Sequence, residues 1–353
     1  MSKYFSSKLS SIEPYVPGEQ PRDKKYIKLN TNESPFPPSP EVVKALDSEQ
    51  VSALNLYSDP TAKELVDAIA EYYDVKAENV FVGNGSDEVL AFAFYAWGEN
   101  GFTGPELSYG FYPVFSQFFC VDYTQIDLKE DLSIDLKDYY NVKNSIIFAN
   151  PNAQTGLYIT PSEIEELVSK VSSVVVVDEA YIDFGGESVV PLTKKYPNLI
   201  VTGTLSKSRN LAGARIGFAI GNKELINDLN TLKFSFNPYN LNRLSIIAGA
   251  KAMKDKEYFN SCVKTVAETR EFTKNELAKL GFSFTDSLSN FILAKTDKLS
   301  GKDLYLALKE RGILVRYLGD EIIKEYVRIT IGSKEQMTCL IDTIKTILSE
   351  AEK

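Results

Sequence analysis

Thr204-Leu205-Ser206-Lys207-Ser208-Arg209-Asn210-Leu211-Ala212-Gly213-Ala214-Arg215-Ile216-Gly217 follows directly on the apolar run Leu199-Ile200-Val201. A lysine that leaves a buried strand, flanked by hydroxyls and followed by Arg215, sets an amine beside groups suited to a phosphate. A lone lysine is far more often a solvated surface charge, so the surrounding spacing carries the signal. Working outward, similar apolar runs recur at 80–84 (VFVGN), 145–151 (SIIFANP), 173–181 (SVVVVDEAY) and 214–221 (ARIGFAIG). Strands apolar along their whole length and separated by helical patterns predict a mostly parallel sheet covered on both faces. The chemistry-bearing residues stand just after these runs, at the carboxyl ends where open α/β sheets bind ligands.

Two further signals flank the lysine block. Gly83-Asn84-Gly85-Ser86-Asp87-Glu88 joins the run VFV to the helical pattern EVLAFAFYAW. Its glycines permit close backbone approach, and Ser86 or Asp87 can cap a helix whose free N–H groups face an anion. A plain strand-to-helix turn would read the same way, and Glu88 stands where a dinucleotide-binding loop has its third glycine. Asp178-Glu179-Ala180-Tyr181 ends another buried run. A carboxylate there needs a partner, and a protonated heterocyclic nitrogen would keep it ionised. Capping the next turn is the competing reading for Asp178, and a place in the core is the competing reading for Tyr181.

The chain of 353 residues contains no histidine. That excludes His-dependent triads and His-ligated zinc, and leaves proton transfer to Lys, Asp, Glu, Tyr, Cys or water. A lysine joined to a cofactor meets this constraint, because it serves as both anchor and base. The net charge of -9 argues against a nucleic-acid partner, and the three scattered cysteines give neither a disulfide framework nor a clustered metal site. No apolar stretch reaches the length of a membrane span, and the first residues lack the apolar core of a signal peptide. The expected location is the cytoplasm.

The organisation expected is an extended arm over residues 1–40 that forms part of a small domain, a large cofactor-binding domain over 41–275, and a small C-terminal α/β domain over 276–353. The arm is rich in Pro, Ser and Asn. From 276 the pattern reads as helix, the run SNFILAKT, the helix KDLYLALKERG, the runs ILVRYL and YVRITIGS, and a closing amphipathic helix.

Taken together, these blocks resemble the fold type I enzymes that use pyridoxal 5′-phosphate (PLP), and among them the histidinol-phosphate aminotransferase group of the class II aminotransferases. The resemblance covers nearly the whole chain. It includes Leu29-Asn30-Thr31-Asn32-Glu33-Ser34-Pro35, Tyr57-Ser58-Asp59-Pro60, the GNGSDE turn, Ser108-Tyr109-Gly110, DEAY, the lysine block with its arginine, and Pro238-Tyr239-Asn240-Leu241-Asn242.

The resemblance implies a role for each matching position. Lys207 carries PLP covalently and moves the proton at the substrate α-carbon. Asp178 keeps the pyridine nitrogen protonated, Tyr181 hydrogen-bonds the ring hydroxyl and Tyr109 stacks on the ring. Gly85, Ser86, Asp87, Thr204, Ser206 and Arg215 hold the phosphate, and Tyr57 reaches the phosphate of a neighbouring subunit in a homodimer with shared sites. Tyr15, Asn32, Arg316 and Arg328 bind substrate, with an ordinary surface ion pair as the competing reading of Arg316. One block departs from the family. Its usual Asn-Pro-Thr-Gly is replaced by Asn150-Pro151-Asn152-Ala153-Gln154-Thr155-Gly156, which leaves Asn152 as the candidate for the asparagine's contact with the ring hydroxyl.

The activity so implied is amino transfer from L-histidinol phosphate to 2-oxoglutarate. The same scaffold also hosts transamination of aromatic amino acids and decarboxylation of threonine phosphate. A non-catalytic PLP-binding regulator would typically add a DNA-binding module, and no basic helix-turn-helix segment is present.

Overall fold

A computed structural model describes residues 2–10 and 12–351. Its strands, in chain order, are β1 (Ile27–Leu29), β2 (Val80–Gly83), β3 (Phe102–Pro105), β4 (Tyr123–Ile126), β5 (Ser145–Ala149), β6 (Val175–Asp178), β7 (Leu199–Thr204), β8 (Gly217–Gly221), β9 (Phe282–Phe284), β10 (Phe291–Thr296), β11 (Ile313–Val315) and β12 (Val327–Thr330).

Seven of them form one sheet in the order β2-β8-β7-β6-β5-β3-β4. Strands β3 to β7 pair in parallel, while β8 runs antiparallel to both β2 and β7. Every strand but β8 therefore ends at the same edge, and β8 begins there. That single reversal delivers the segment before β8, which carries Arg215, to the edge where the other strands release Gly85, Asp178 and Lys207.

Strand residues feed two cores in alternation, as a period of two requires. Val175, Val177, Leu199 and Val201 face the core closed by the helices Lys63–Tyr73, Pro161–Lys170 and Arg243–Lys254. Val176 and Ile200 face the opposite core, closed by Ser86–Trp97, Phe111–Phe119 and Lys223–Phe236. The local sequence sets these helices. At Pro161–Lys170, the Thr160 side chain accepts from the Glu163 N–H while Glu163 reaches back to the Thr160 N–H, with Pro161 in the first helical turn.

A second region is built from both ends of the chain. Strands β12, β10 and β9 form an antiparallel sheet, and β1 of the N-terminal arm pairs in parallel with β11. The helices Gly301–Glu310 and Lys334–Ala351 cover a core that includes Phe291, Ile329 and Ile344.

The five apolar runs quoted above appear as β2, β5, β6, β7 and β8, but β3, β4 and β9 were not among the expected strands. Strand β3 reads Phe-Thr-Gly-Pro and β4 reads Tyr-Thr-Gln-Ile, compositions that signal turns and edges rather than buried strands. The boundary expected at 275/276 falls inside the unbroken helix Lys256–Lys279, which runs from one region into the other. Among its described residues the arm holds a short helical turn at Ser7–Leu9 and strand β1, joined by irregular and turning segments, and the first long helix is Lys63–Tyr73. No helix among the described residues is long and apolar enough to cross a membrane.

Candidate active site

The strand ends surround a cavity of about 330 Å³ whose wall includes Asp178, Tyr181, Lys207, Arg215, Tyr109 and Ser86. Thr204, Ser206 and Asp87 complete much of the remainder, together with Thr31 and Glu33 from the arm. Sheet register explains the convergence. Asp178 lies opposite Ala149 on one side and Thr202 on the other, and Gly217 lies opposite both Thr204 and Gly83.

Asp178 is only 3% exposed and has no cationic partner among the described residues. Its Oδ2 accepts from the Tyr112 hydroxyl at 3.0 Å, and its Oδ1 accepts from the Ala180 N–H at 3.3 Å and the Thr202 hydroxyl at 3.4 Å. Burial outweighs these donors and pushes the carboxyl up to about 6. A buried acid in that condition, on the wall of a cavity, calls for a cation.

Lys207 sits half-buried, its Nζ donating to the Thr31 carbonyl at 3.4 Å and lying 5.8 Å from the centre of the Tyr181 ring. Among the described residues no carboxylate holds the amine. The neighbouring backbone is fixed from below, because the Ser208 hydroxyl donates to Asp183 and Arg209 spreads over the Phe259 ring at 3.5 Å. Tyr181 accepts a hydrogen bond from Asn32 Nδ2 at 3.0 Å, which leaves its own proton to donate.

Across the cavity, the helix Ser86–Trp97 begins at Gly85 with no side-chain cap. Neither Ser86 nor Asp87 caps it, contrary to expectation, because both lie inside the first turn. The uncapped N–H groups of that turn are suited to an anion. Gly85 has φ +84°, and a Cβ there would meet Arg215 Nη2 at 2.6 Å, so the glycine is what admits the guanidinium. Likewise a Cβ at Gly217 would meet the Ser86 nitrogen at 2.2 Å. Asp87 differs from its expected role. Its carboxylate accepts from Tyr109 at 2.6 Å and from Arg215 at 2.9 Å, and since a carboxylate cannot donate to a phosphate, only the Asp87 N–H is available to one. The Thr204 hydroxyl is partly committed as well, donating toward Ser206 and the Ile216 carbonyl.

Asn152 does not line the cavity; Ala153 does. The Asn152 amide donates to the Leu107 carbonyl at 2.9 Å, and its oxygen accepts from the N–H groups of Gln154 and Thr155 at 2.9 and 3.1 Å. These bonds hold the tight loop together and turn the side chain away from the cavity wall, where Ala153 stands in the place of the family's asparagine.

Behind Ala153 stand two arginines paired across an isolated bridge, Arg316 and Arg328. Arg328 donates to the Ala153 carbonyl at 3.0 Å and Gln154 Oε1 at 2.7 Å, while its Nε has no partner. Burial and the nearby Arg316 pull its pKa down. Arg316 donates to the Val16 and Pro17 carbonyls of the arm, so the ion pair considered as its alternative is absent among the described residues. Tyr15 packs on Phe111 at 4.3 Å between ring centres, beside Gly110. Tyr57 is 80% exposed, stacked on Tyr239 at 4.5 Å, and is not part of this chain's cavity.

The donors fit PLP. A buried acid suits a ring nitrogen, Tyr181 can donate to a ring oxygen, helix N–H groups beside an arginine suit a phosphate, and a lysine held by no carboxylate among the described residues suits a carbonyl. Sequence reading missed Tyr112, Thr202 and the cavity-lining Thr31 and Glu33.

A family model described as aminotransferase class I and II matches residues 24–344. A histidinol-phosphate aminotransferase of Brachyspira hyodysenteriae is 51% identical over 352 residues, covering 99% of each chain. One from Clostridium botulinum is 49% identical over 353 residues, covering 99% of this chain and 100% of the other. Among solved structures, histidinol-phosphate aminotransferase from Sinorhizobium meliloti in complex with pyridoxal-5′-phosphate has a TM-score of 0.88 at 21% identity, covering 99% of both chains. That from Clostridium acetobutylicum has a TM-score of 0.84 at 24% identity, covering 92% of this chain and 99% of the other. These two structures share the fold. The chain belongs to the class I and II aminotransferase family, and within it to the group of histidinol-phosphate aminotransferases.

Proposed function

We propose that this chain is a PLP-dependent transaminase that moves the amino group of L-histidinol phosphate to 2-oxoglutarate, giving imidazole acetol phosphate and L-glutamate in histidine biosynthesis. PLP supplies an electron sink for the bonding electrons at the substrate α-carbon. Asp178 holds the proton on the ring nitrogen, Tyr181 donates to the ring hydroxyl, and Arg215 with the Ser86 and Asp87 N–H groups binds the phosphate. Lys207 Nζ would anchor the cofactor and, as a free amine, would take and return the proton at the α-carbon.

The observation that carries the substrate assignment is the arginine pair. Among the described residues Arg328 and Arg316 donate only to neutral acceptors, with Arg328 Nε left unpartnered, and a guanidinium fork favours carboxylate or phosphate. One pair can therefore receive the carboxylate of 2-oxoglutarate and the phosphate of the donor in turn. The names of the relatives at about half identity support the same donor. The test is kcat/KM for histidinol phosphate against phenylalanine and threonine phosphate. A clear preference for either competitor overturns the assignment.

The reading includes a cytoplasmic homodimer in which Tyr57 reaches the neighbouring subunit's phosphate. Its support is the exposed Tyr57–Tyr239 stack, an aromatic pair left uncovered on a single chain. Mixing inactive Lys207→Ala with an impaired Tyr57→Ala variant should restore activity through hybrid dimers. No recovery after verified exchange contradicts shared sites.

A further inference from the structure

Tyr112 is fully buried in the helix Phe111–Phe119, edge-on to Tyr109 with 5.7 Å between ring centres. Its hydroxyl donates to Asp178 Oδ2 at 3.0 Å. Among the described residues Oδ2 has no other donor, whereas Oδ1 has two. The Thr202 and Ala180 bonds to Oδ1 are long, and the Tyr112 bond is the shortest Asp178 receives. Burial beside Asp178 raises the Tyr112 hydroxyl well above its ordinary value, so it keeps its proton and acts toward an ionised Asp178 only as a donor.

We propose that Tyr112 is a positioning residue, whose hydroxyl holds the Asp178 carboxylate ionised and oriented to pair with a protonated ring nitrogen. The inference rests on the PLP reading above. It assigns Tyr112 no contact with substrate or cofactor. Its effect passes entirely through Asp178, and this separates it from a core tyrosine that merely fills space. A core role would weaken the site for any ligand of the same shape, whereas a role through Asp178 is felt only by a ligand with a basic ring nitrogen.

The test is the equilibrium dissociation constant of the apo protein for PLP and for its deaza analogue, in which CH replaces the ring nitrogen. Tyr112→Phe keeps the ring and removes only the hydroxyl. Loss of one hydrogen bond to a charged acceptor should weaken PLP about tenfold, with the analogue changed by less than about twofold. In an Asp178→Asn background, Tyr112→Phe should have no further effect on PLP, closing a double-mutant cycle. Equal weakening of both ligands, a loss that persists in the Asp178→Asn background, or no loss at all overturns the proposal. If the unmodified protein binds no PLP, the cofactor reading itself has failed. That outcome is distinct from tight binding that is indifferent to Tyr112.

Discussion

Asn32 Nδ2 donates to the Tyr181 hydroxyl at 3.0 Å, and through this bond the N-terminal arm reaches the end of β6. Asn32 sits at φ 53°, with its N–H donating to Thr330 Oγ1 and its Oδ1 accepting from the same hydroxyl, each at 3.0 Å. The Asn290 amide donates to its carbonyl. Strand β12, the loop before β10 and the arm thus meet at one asparagine, whose side chain orients a group on the cavity wall.

Asn32→Ala loses both side-chain bonds and places alanine in a left-handed conformation. The expected destabilisation is about 2–4 kcal/mol. Tyr181→Phe removes one bond and should remove only about 0.5–1.5 kcal/mol while weakening PLP binding. Denaturant unfolding of both apo variants checks the order, and an equal loss contradicts the junction role.

Borohydride reduction of the protein with PLP, followed by peptide mapping, should place the adduct on Lys207. Lys207→Ala should bind PLP without a covalent bond and lose nearly all turnover. An adduct on another lysine removes Lys207 from its role.

The two arginines should separate kinetically. Arg328→Ala should lower kcat/KM in both half-reactions by about 100-fold or more, since it removes a half-buried fork for the acidic group. Arg316→Ala should weaken the phosphorylated donor more than phenylalanine. Identical losses for both donors would contradict a role for Arg316 in recognising the more highly charged group.

Glu179 gives the apo protein a pH dependence with a definite sign. Burial pushes its carboxyl up to about 8 against an ordinary 4.5, despite hydrogen bonds from Ser188 and the Val189 N–H. Above its ordinary value the unfolded chain has released that proton while the folded chain keeps it. Stability therefore falls as pH rises toward 8, by up to about 1.4 kcal/mol per pH unit. Glu179→Gln should flatten this decline in urea midpoints taken from about pH 5 to 8. Parallel slopes for the two proteins would show that Glu179 carries no such proton.

Much of the site was legible because a parallel sheet releases its strands at one edge. An acid, a lysine or a glycine turn standing just after an apolar run is brought to that edge by the fold itself, which is why Asp178, Lys207 and Gly85 could be read in advance. Tyr112 could not, since its partner lies 66 residues away and only the packing of helix on sheet joins them. Asn152 misled because adjacent residues in a tight loop point differently, and the loop's own N–H groups claimed its side chain. Asp87 misled in another way. The site needed its backbone, and its side chain was taken by Tyr109 and Arg215. Strands β3 and β4 lacked the apolar pattern because glycine, proline and polar residues suit their places near the sheet margin.

The most direct test is a single half-reaction. The PLP-loaded protein is mixed with L-histidinol phosphate in the absence of 2-oxoglutarate, and the cofactor absorbance and product are followed together. The prediction is full conversion of the cofactor to its amine form, with one imidazole acetol phosphate per site. No conversion with histidinol phosphate, alongside conversion by phenylalanine or release of carbon dioxide from threonine phosphate, would contradict it.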